Sequence, residues 1–582
     1  MPPKAFEGMT RHRWLALALL LSAVQAVLLL HTAWDKSDTI DEPYYLATAV
    51  DQWTFLDFSR CDAPALPRWG FAAALRLVDP RLFDPDSKSG RNPLWSRPMA
   101  IGRRNLFVAR LSTIALTVAG GLWLWRAARR FGDVPGAVAH ALWCFSPAVL
   151  ANGSLATLDA WAASFACLVL WRVVHFLEDP SPWQAAFVGL ALALAAAAKI
   201  TTLGLVPVAA GAGAWVVLGQ SAGEARRPLG RLAAVLGVAA LAFVVTLWAV
   251  YAFNCDTVDT GRVCEKETGL PHHVYGPLPF APFFGGILLQ WLHGNKGHLS
   301  YLFGATSGSG WWWFYLAALA FKTTIGAQLL GLLLLVARWR APRLPGGWWL
   351  DAGILAYPLL LVVVLSLGKT QNGIRYILPA YPFLMLWAGR SSAVALRLDR
   401  RAGLAVGGAL LLGALESVAV HPHHLMFFNL WAGGPSGGPR YLIHGDDWGQ
   451  EQRRLGEWQR ENHPWRLYYT PYNGLPHYWG ISADVPPCEP RPGYYALHAV
   501  EVHRPKRLRA GCLDWLTVEP PDERLGYSIY LYLVTRERIE RLEKERGHTV
   551  PFWQSGTGDN VTEPAAAPSN PSAPVTEEPE GP

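Results

Sequence analysis

The chain has 582 residues, of which 51% are hydrophobic and only 16% charged, and its mean hydropathy is positive at +0.17. Soluble domains carry about 25% charged residues, so this composition excludes a disordered, collagenous or coiled-coil chain and weighs against a soluble multidomain enzyme. The net charge of +7 does not point to nucleic acid, because the basic residues sit in short groups between apolar runs.

A bilayer core is about 30 Å thick, so a spanning helix needs about 20 apolar residues. The first such run, Trp14–Ala33, follows Arg11 and Arg13. It is longer than a signal peptide's apolar stretch, and no small-residue cleavage site follows it. Further runs lie at roughly 105–126, 134–151, 160–177, 183–198, 200–219, 231–252, 314–336, 348–367, 374–390 and 402–420, which predicts eleven transmembrane helices. Arg126, Arg129 and Arg130 follow the second run. Arg226, Arg227 and Arg231 follow the sixth, Arg338, Arg340 and Arg343 the eighth, and Arg397, Arg400 and Arg401 the tenth. Basic residues on alternate loops mark the cytoplasmic side. The N-terminus is therefore expected in the cytoplasm and the C-terminus outside.

Three portions then face outward: residues 34–104, residues 253–313 and everything after 420. The predicted organisation is a transmembrane domain over 1–420, an extracytoplasmic domain over 421–554 and a disordered Pro/Ala/Ser/acidic tail over 555–582. The second of these reads as a small α/β unit, with strand-like runs at Trp465–Thr470 and Tyr527–Thr535 and a charged helix near 536–546.

Cys144 and Cys167 fall inside predicted helices, where a thiol acts as a small apolar group. Cys255 and Cys264 share one outside loop, and Cys488 and Cys512 share the tail. Each pair is a candidate disulfide in an oxidising compartment, with Cys61 left over. A Cys255–Cys264 bond would close a loop of about ten residues and contribute about 2–3 kcal/mol. There is no CxxC and no zinc-type spacing.

Ionisable residues beside an apolar slab are costly and default to functional hypotheses. Asp41 and Glu42 lie just outside the first helix, in Thr39-Ile40-Asp41-Glu42-Pro43. One reading is a helix N-terminus capped by acids, with Pro43 in its first turn. The other is a general base at the membrane surface. Asp159, at the outside entry of the fourth helix, carries the same two readings. Arg68, Arg103, Arg104, Lys199, Lys322, Lys369 and Arg375 all fall on the outside or at outside helix ends. Interfacial snorkelling suits Arg103 and Arg104, but it suits Lys322 poorly because apolar residues flank Lys322-Thr323. Two carboxylates and several cations on one face suit transfer from a lipid phosphate. Cations would hold the phosphate and a carboxylate would take the acceptor's proton.

On these residues the sequence resembles the GT-C membrane glycosyltransferases, in particular the protein O-mannosyltransferases and the aminoarabinose transferases of lipid A. Asp41-Glu42 is similar to the family's acidic pair in the first outside loop, whose Asp is the proposed base. Asp62-Ala63-Pro64-Ala65-Leu66-Pro67-Arg68 is similar to the element that follows it, with the family's Lys replaced by Arg68. Leu155-Ala156-Thr157-Leu158-Asp159 resembles the second acidic motif, and Lys199 matches a Lys at the next helix junction. Gly310-Trp311-Trp312-Trp313-Phe314-Tyr315 with Lys322-Thr323, and Arg375-Tyr376-Ile377-Leu378-Pro379, resemble two further blocks. Phe427-Phe428-Asn429 and Asp447-Trp448-Gly449-Gln450 resemble a tail signature to which no role is assigned.

The resemblance implies a GT-C-like fold with amphipathic helices in the first outside loop. It implies an inverting hexosyl or pentosyl transferase that uses a polyprenyl-phosphate-linked sugar, with a protein, lipid or glycan as acceptor. Asp41 would be the base, with Glu42 beside it, and Asp159 would orient the acceptor or assist. Lys199, Arg375, Lys322 and Arg68 would hold the donor phosphate. No cofactor is required by the sequence, although a divalent cation is left open. The expected location is a bacterial inner membrane. The rival readings are a lipid-linked sugar flippase, which would need inverted repeats that the sequence lacks, and a non-catalytic membrane scaffold. Asp84-Pro85-Asp86 reads as a turn, and His421, His423 and His424 as interfacial capping rather than a metal site.

Overall fold

The computed structural model describes residues 10–86, 92–220, 227–340, 347–398, 400–443, 446–471, 475–503 and 512–546. The segment 555–582, read from sequence as a disordered tail, lies outside the described residues.

The first helix, α1 (Arg11–Asp35), leads into a short loop and two helices, α2 (Glu42–Phe55) and α3 (Ala65–Val78). Then follow α4 (Met99–Ala128), α5 (Asp133–Cys144), α6 (Pro147–Gly153), α7 (Asp159–Glu178), α8 (Pro182–Ala198), α9 (Leu205–Gln220) and α10 (Arg227–Val250). The segment after α10 carries β1 (Cys255–Asp259), β2 (Arg262–Val263), β3 (Lys266–Glu267), β4 (Val274–Pro279), α11 (Ala281–Lys296), β5 (Ser300–Leu302) and β6 (Ala305–Ser307). The chain returns through α12 (Phe314–Lys322), α13 (Ile325–Arg340), α14 (Gly347–Leu367), α15 (Tyr381–Leu398) and α16 (Arg400–Ala419).

Among the described residues seven helices are long and apolar enough to cross a membrane, or nine if two bent pairs each count as one span. Helices occupy all eleven apolar runs, but α8 has only 17 residues and α15 contains the buried Arg390, so neither passes that test. The bent pairs are α5–α6, at 58°, and α12–α13, at 109°. Pro147 opens α6, where a missing N–H costs nothing and the fixed φ suits a helix start. Thr323 is extended after α12. The α12 carbonyl groups this exposes are not left bare: Asn429 Nδ2 donates to Ala320 O at 2.7 Å and Thr323 O at 2.8 Å. Unpaired backbone is tolerated at membrane depth only when protein groups satisfy it in this way.

Small residues draw the helices together. A Cβ at Gly189 would overlap the Ala239 carbonyl, which brings α8 against α10. One at Gly326 would overlap backbone of Ala409 and Gly413, which brings α13 against α16. Membrane helices pack by such close approach because lipid provides no hydrophobic drive between them.

After 420 the chain forms a four-stranded sheet in the order β7-β8-β10-β9, from β7 (Leu467–Tyr469), β8 (Gly493–His498), β9 (Glu523–Leu525) and β10 (Ile529–Val534). Alternation with period two splits its residues between two cores. Tyr468, Tyr495, Leu497, Tyr530 and Tyr532 pack on one face, with Ile539 and Leu542 of the helix Arg536–Arg546. Leu467, Tyr469, Ala496 and Leu531 pack on the other, with Leu455, Trp479 and Ile481.

The disulfide pairing differs from the sequence expectation. Cys264 bonds Cys61, not Cys255. Strand β1 sets Cys255 opposite Pro279 in the antiparallel ladder and leaves it exposed with a free thiol. Cys264 follows β2, at a positive φ of 52°, and is turned onto the segment between α2 and α3 that carries Cys61. The flanking residues pair in step: Arg60 with Glu265 at 2.9 Å and Lys266 with Asp62 at 2.6 Å. Cys488 and Cys512 are bonded to each other.

Candidate active site

The site begins in the loop between α1 and α2. Thr39 and Glu42 have the spacing of a capping box, and Thr39 N–H donates to Glu42 Oε2 at 2.9 Å. Glu42 is fully buried and takes two bonds from Arg110 on α4, Nε at 2.7 Å and Nη2 at 2.6 Å. Ala156 N–H donates to it at 2.7 Å. Arg110 spends its remaining N–H groups on the carbonyls of Ala33, Lys36 and Ser37. Every lone pair and proton of this buried pair is used, so Glu42 braces the loop and has no free edge for a substrate. Removing one partner of such a pair costs about 3–5 kcal/mol.

Asp41 is the next residue, and it turns the other way. Its side chain is 28% exposed, and Oδ2 accepts from Arg375 Nη1 at 2.8 Å. Arg375 lies in the 3₁₀ segment Ile374–Ala380, which leads into α15. The same Nη1 lies 3.8 Å from Asp159 Oδ2. Asp159 opens α7, is 4% exposed, and pairs through Oδ1 with Lys199. Lys199 sits where α8 ends in an extended residue, so the break aims its side chain at Asp159. The Tyr376 ring lies 4.5 Å from Lys199 Nζ and 5.6 Å from the Arg375 guanidinium. The same guanidinium lies over the Trp448 ring, 3.8 Å from its centroid. Four residues singled out in the sequence, Asp41, Asp159, Lys199 and Arg375, are thus adjacent, two carboxylates alternating with two cations.

The other candidates lie apart from this cluster. Lys322 is buried and pairs with Asp446 at 2.6 Å. It donates to Leu425 O at 3.2 Å and lies over the Phe428 ring at 3.7 Å. Its charge is met by the tail, although a cavity of about 10 Å³ is lined by Lys322, Arg375 and Asp446 together. Arg68, on α3, is buried, and its Nε, Nη1 and Nη2 have no hydrogen-bond partner among the described residues. Burial pushes the guanidinium down to about 10, opposed by the nearby Tyr251, Tyr44, Asp57 and Asp62. Burying a cation without hydrogen-bond partners is costly. Arg103 lies over Trp34 at 4.3 Å, as an interfacial side chain would.

Among the described residues no three His, Cys, Asp or Glu groups converge to hold a metal, and Asp41 and Asp159 are each committed to a cation. The site as built does not fit a divalent ion. Two of the histidines after α16 make hydrogen bonds, His421 with His31 at 2.6 Å and His423 Nδ1 with Glu451 Oε1 at 3.0 Å, whereas neither ring nitrogen of the buried His424 has a partner among the described residues.

Residues 97–249 match the family model described as dolichyl-phosphate-mannose-protein mannosyltransferase. The chain resembles the protein O-mannosyltransferases. The matched stretch of this mannosyltransferase-like chain holds Arg110, Asp159 and Lys199, whereas Asp41, Arg375 and Trp448 lie outside it. No curated protein matches the chain. Among solved structures, ArnT from Cupriavidus metallidurans bound to undecaprenyl phosphate is similar at 15% identity and TM-score 0.47, over 89% of this chain and 98% of that one. The Pmt1-Pmt2 protein O-mannosyltransferase complex of S. cerevisiae, bound to its sugar donor, is similar at 18% identity and TM-score 0.33, over 43% and 35%. The oligosaccharyltransferase AglB of Archaeoglobus fulgidus, with an inhibitory peptide and dolichol-phosphate, is similar at 11% identity and TM-score 0.40, over 87% and 70%.

Proposed function

We propose that the chain is an inverting glycosyltransferase that moves a sugar from a polyprenyl-phosphate carrier to a hydroxyl-bearing acceptor at the outer face of a bacterial inner membrane. The observation that carries this reading is the convergence of Asp41 and Asp159 with Arg375 and Lys199. The description of the family model that 97–249 match, a lipid-phosphate-sugar transferase, supports the donor class.

In the resting site each carboxylate is tied to a cation. A donor phosphate entering beside Arg375 and Lys199 competes for those cations. Losing Arg375 frees Asp41. The acceptor O–H then loses its proton to Asp41 while its oxygen bonds the anomeric carbon. The carbon–oxygen bond to phosphate breaks, and the lipid phosphate leaves with the electron pair. Charge developing on that oxygen is met by the cations already in place. One displacement inverts the anomeric centre, and Asp159 keeps Lys199 aimed at the leaving group.

The test is transfer from a radiolabelled polyprenyl-phosphate sugar by membranes carrying the wild-type chain or Asp41→Asn. Transfer by the wild type and less than about 1% of it by the variant is the expected result. Carrier translocation without product in either would favour the flippase reading.

A further inference from the structure

The tail signature around Asp447 has a place in this site. Residues 446–452 run as a strap across the loop that carries Asp41. Asp446 pairs with Lys322. Asp447 is buried against His498 Nδ1 at 3.0 Å, and His498 Nε2 meets Tyr469 O–H at 2.8 Å, so the strap is anchored in the tail sheet. On its other side, Ile40 N–H donates to Trp448 O and Ser37 N–H to Gln450 O, both at 3.1 Å. Ser37 O–H donates to Gly449 O at 3.0 Å, and Lys36 pairs with Glu451 at 2.7 Å. Trp448 is 2% exposed, and its backbone N–H donates to Gln450 Oε1 at 2.7 Å.

We propose that Trp448 is a positioning residue that fixes the plane of the Arg375 guanidinium so that its free edge faces the donor phosphate. The proposal rests on the transferase reading above. Arg375 has one short bond, from Nη1 to Asp41, and its Nε has no hydrogen-bond partner among the described residues. A guanidinium held at a single atom can swivel about that contact. Stacking on an indole face fixes the plane without using any N–H, which leaves the in-plane edge for two-point grip of phosphate oxygens. Because the Trp448 carbonyl also holds Ile40, the same residue sets the spacing between the cation and the base at Asp41.

The experiment compares Trp448→Phe, Trp448→Leu and Trp448→Met in the full-length chain. Each is checked first for normal abundance and melting temperature in detergent. Loss of a desolvated cation–π contact should raise the donor KM about 10–30-fold in the Leu and Met variants, with the acceptor KM unchanged and kcat within about threefold. Phe, which keeps a ring face, should restore most of the donor affinity. A second readout does not depend on transfer: phenylglyoxal modification of Arg375, followed by peptide mass spectrometry, should be faster in Leu and Met than in the wild type or Phe. If no variant and no wild type transfers sugar, the transferase reading fails and the modification rates still decide the stacking. Donor KM and Arg375 modification at wild-type levels in Leu and Met would overturn the proposal. Equal loss in Phe, Leu and Met would also overturn it, because ring volume rather than the π face would then be at work.

Discussion

Replacing Asp41 by Asn keeps the side chain's size and its hydrogen bond from Arg375 while removing the proton acceptor. Asp41 is partly exposed and makes one ion pair, so little folding energy depends on it. General-base assistance supplies about 10²–10⁴ in rate, so the variant should accumulate and melt like the wild type while retaining at most about 1% of transfer. Glu42→Gln, one residue along, should fail in the opposite way. It leaves Arg110 with no buried counter-charge, and uncompensated charges of this kind cost about 3–5 kcal/mol. That variant should be scarce and melt early. Its surviving molecules should transfer sugar at a rate nearer the wild type than Asp41→Asn does. The assay measures transfer per mole of chain in membranes, beside melting in detergent. Asp41→Asn retaining more than about half of wild-type transfer, or Glu42→Gln melting like the wild type, would refute this division of labour between neighbouring acids.

Arg375→Ala should impair donor use far more than Arg375→Lys, since a point charge keeps attraction but not the fork; equal donor KM values for the two would refute the grip. In unreduced folded protein a small thiol reagent should label Cys255 and neither Cys61 nor Cys264. Cys61→Ser should lower the melting temperature by an amount matching about 2–5 kcal/mol, whereas Cys255→Ser should not. Asp38, in the loop after α1, is pushed up to about 7 chiefly by burial, with Glu42 adding to the shift and the Trp479 bond and Arg110 opposing it. The folded state therefore holds that proton more tightly than the unfolded state does. Its contribution to stability is full below about pH 4 and is lost as pH rises toward 7. A melting curve that declines from pH 5 to pH 8 in the wild type, and is flatter in Asp38→Asn, is the expected result.

The helices were legible because a run of about 20 apolar residues has few other readings. The bends were not, since hydropathy alone reads 134–151 and 314–336 as unbroken runs. Pro147 and the Thr323-Thr324 pair were the local signs. Asp41, Asp159, Lys199 and Arg375 stood out because each is ionisable beside a slab that penalises charge. Glu42 stood out for the same reason, but its partner Arg110 lies 68 residues away, and no spacing rule links them. The cysteine pairing was hidden in the same manner: nearness in sequence favoured Cys255, while the hairpin β2–β3 carries Cys264 to a residue 203 positions away. Trp448 and Asp446 have chemistry only through Arg375 and Lys322, so their residue types alone gave no signal.

The bend between α12 and α13 is expected to make transfer respond to the bilayer's thickness. Helix α13 has 16 residues, about 24 Å of rise, against a hydrocarbon core of about 30 Å. Helix α12 runs nearly at right angles to it, and Trp312 just before it and Leu316 within it are exposed. A shelf of this kind rides at the height the bilayer sets, because mismatch is met by local thinning or tilt at fractions of a kcal/mol per Å. Lys322 ends that shelf and is pinned to Asp446, two residues from the ring that faces Arg375. Reconstitution in bilayers of graded acyl length is expected to give a graded change in donor KM, and a donor KM independent of acyl length would refute this link between bilayer and site.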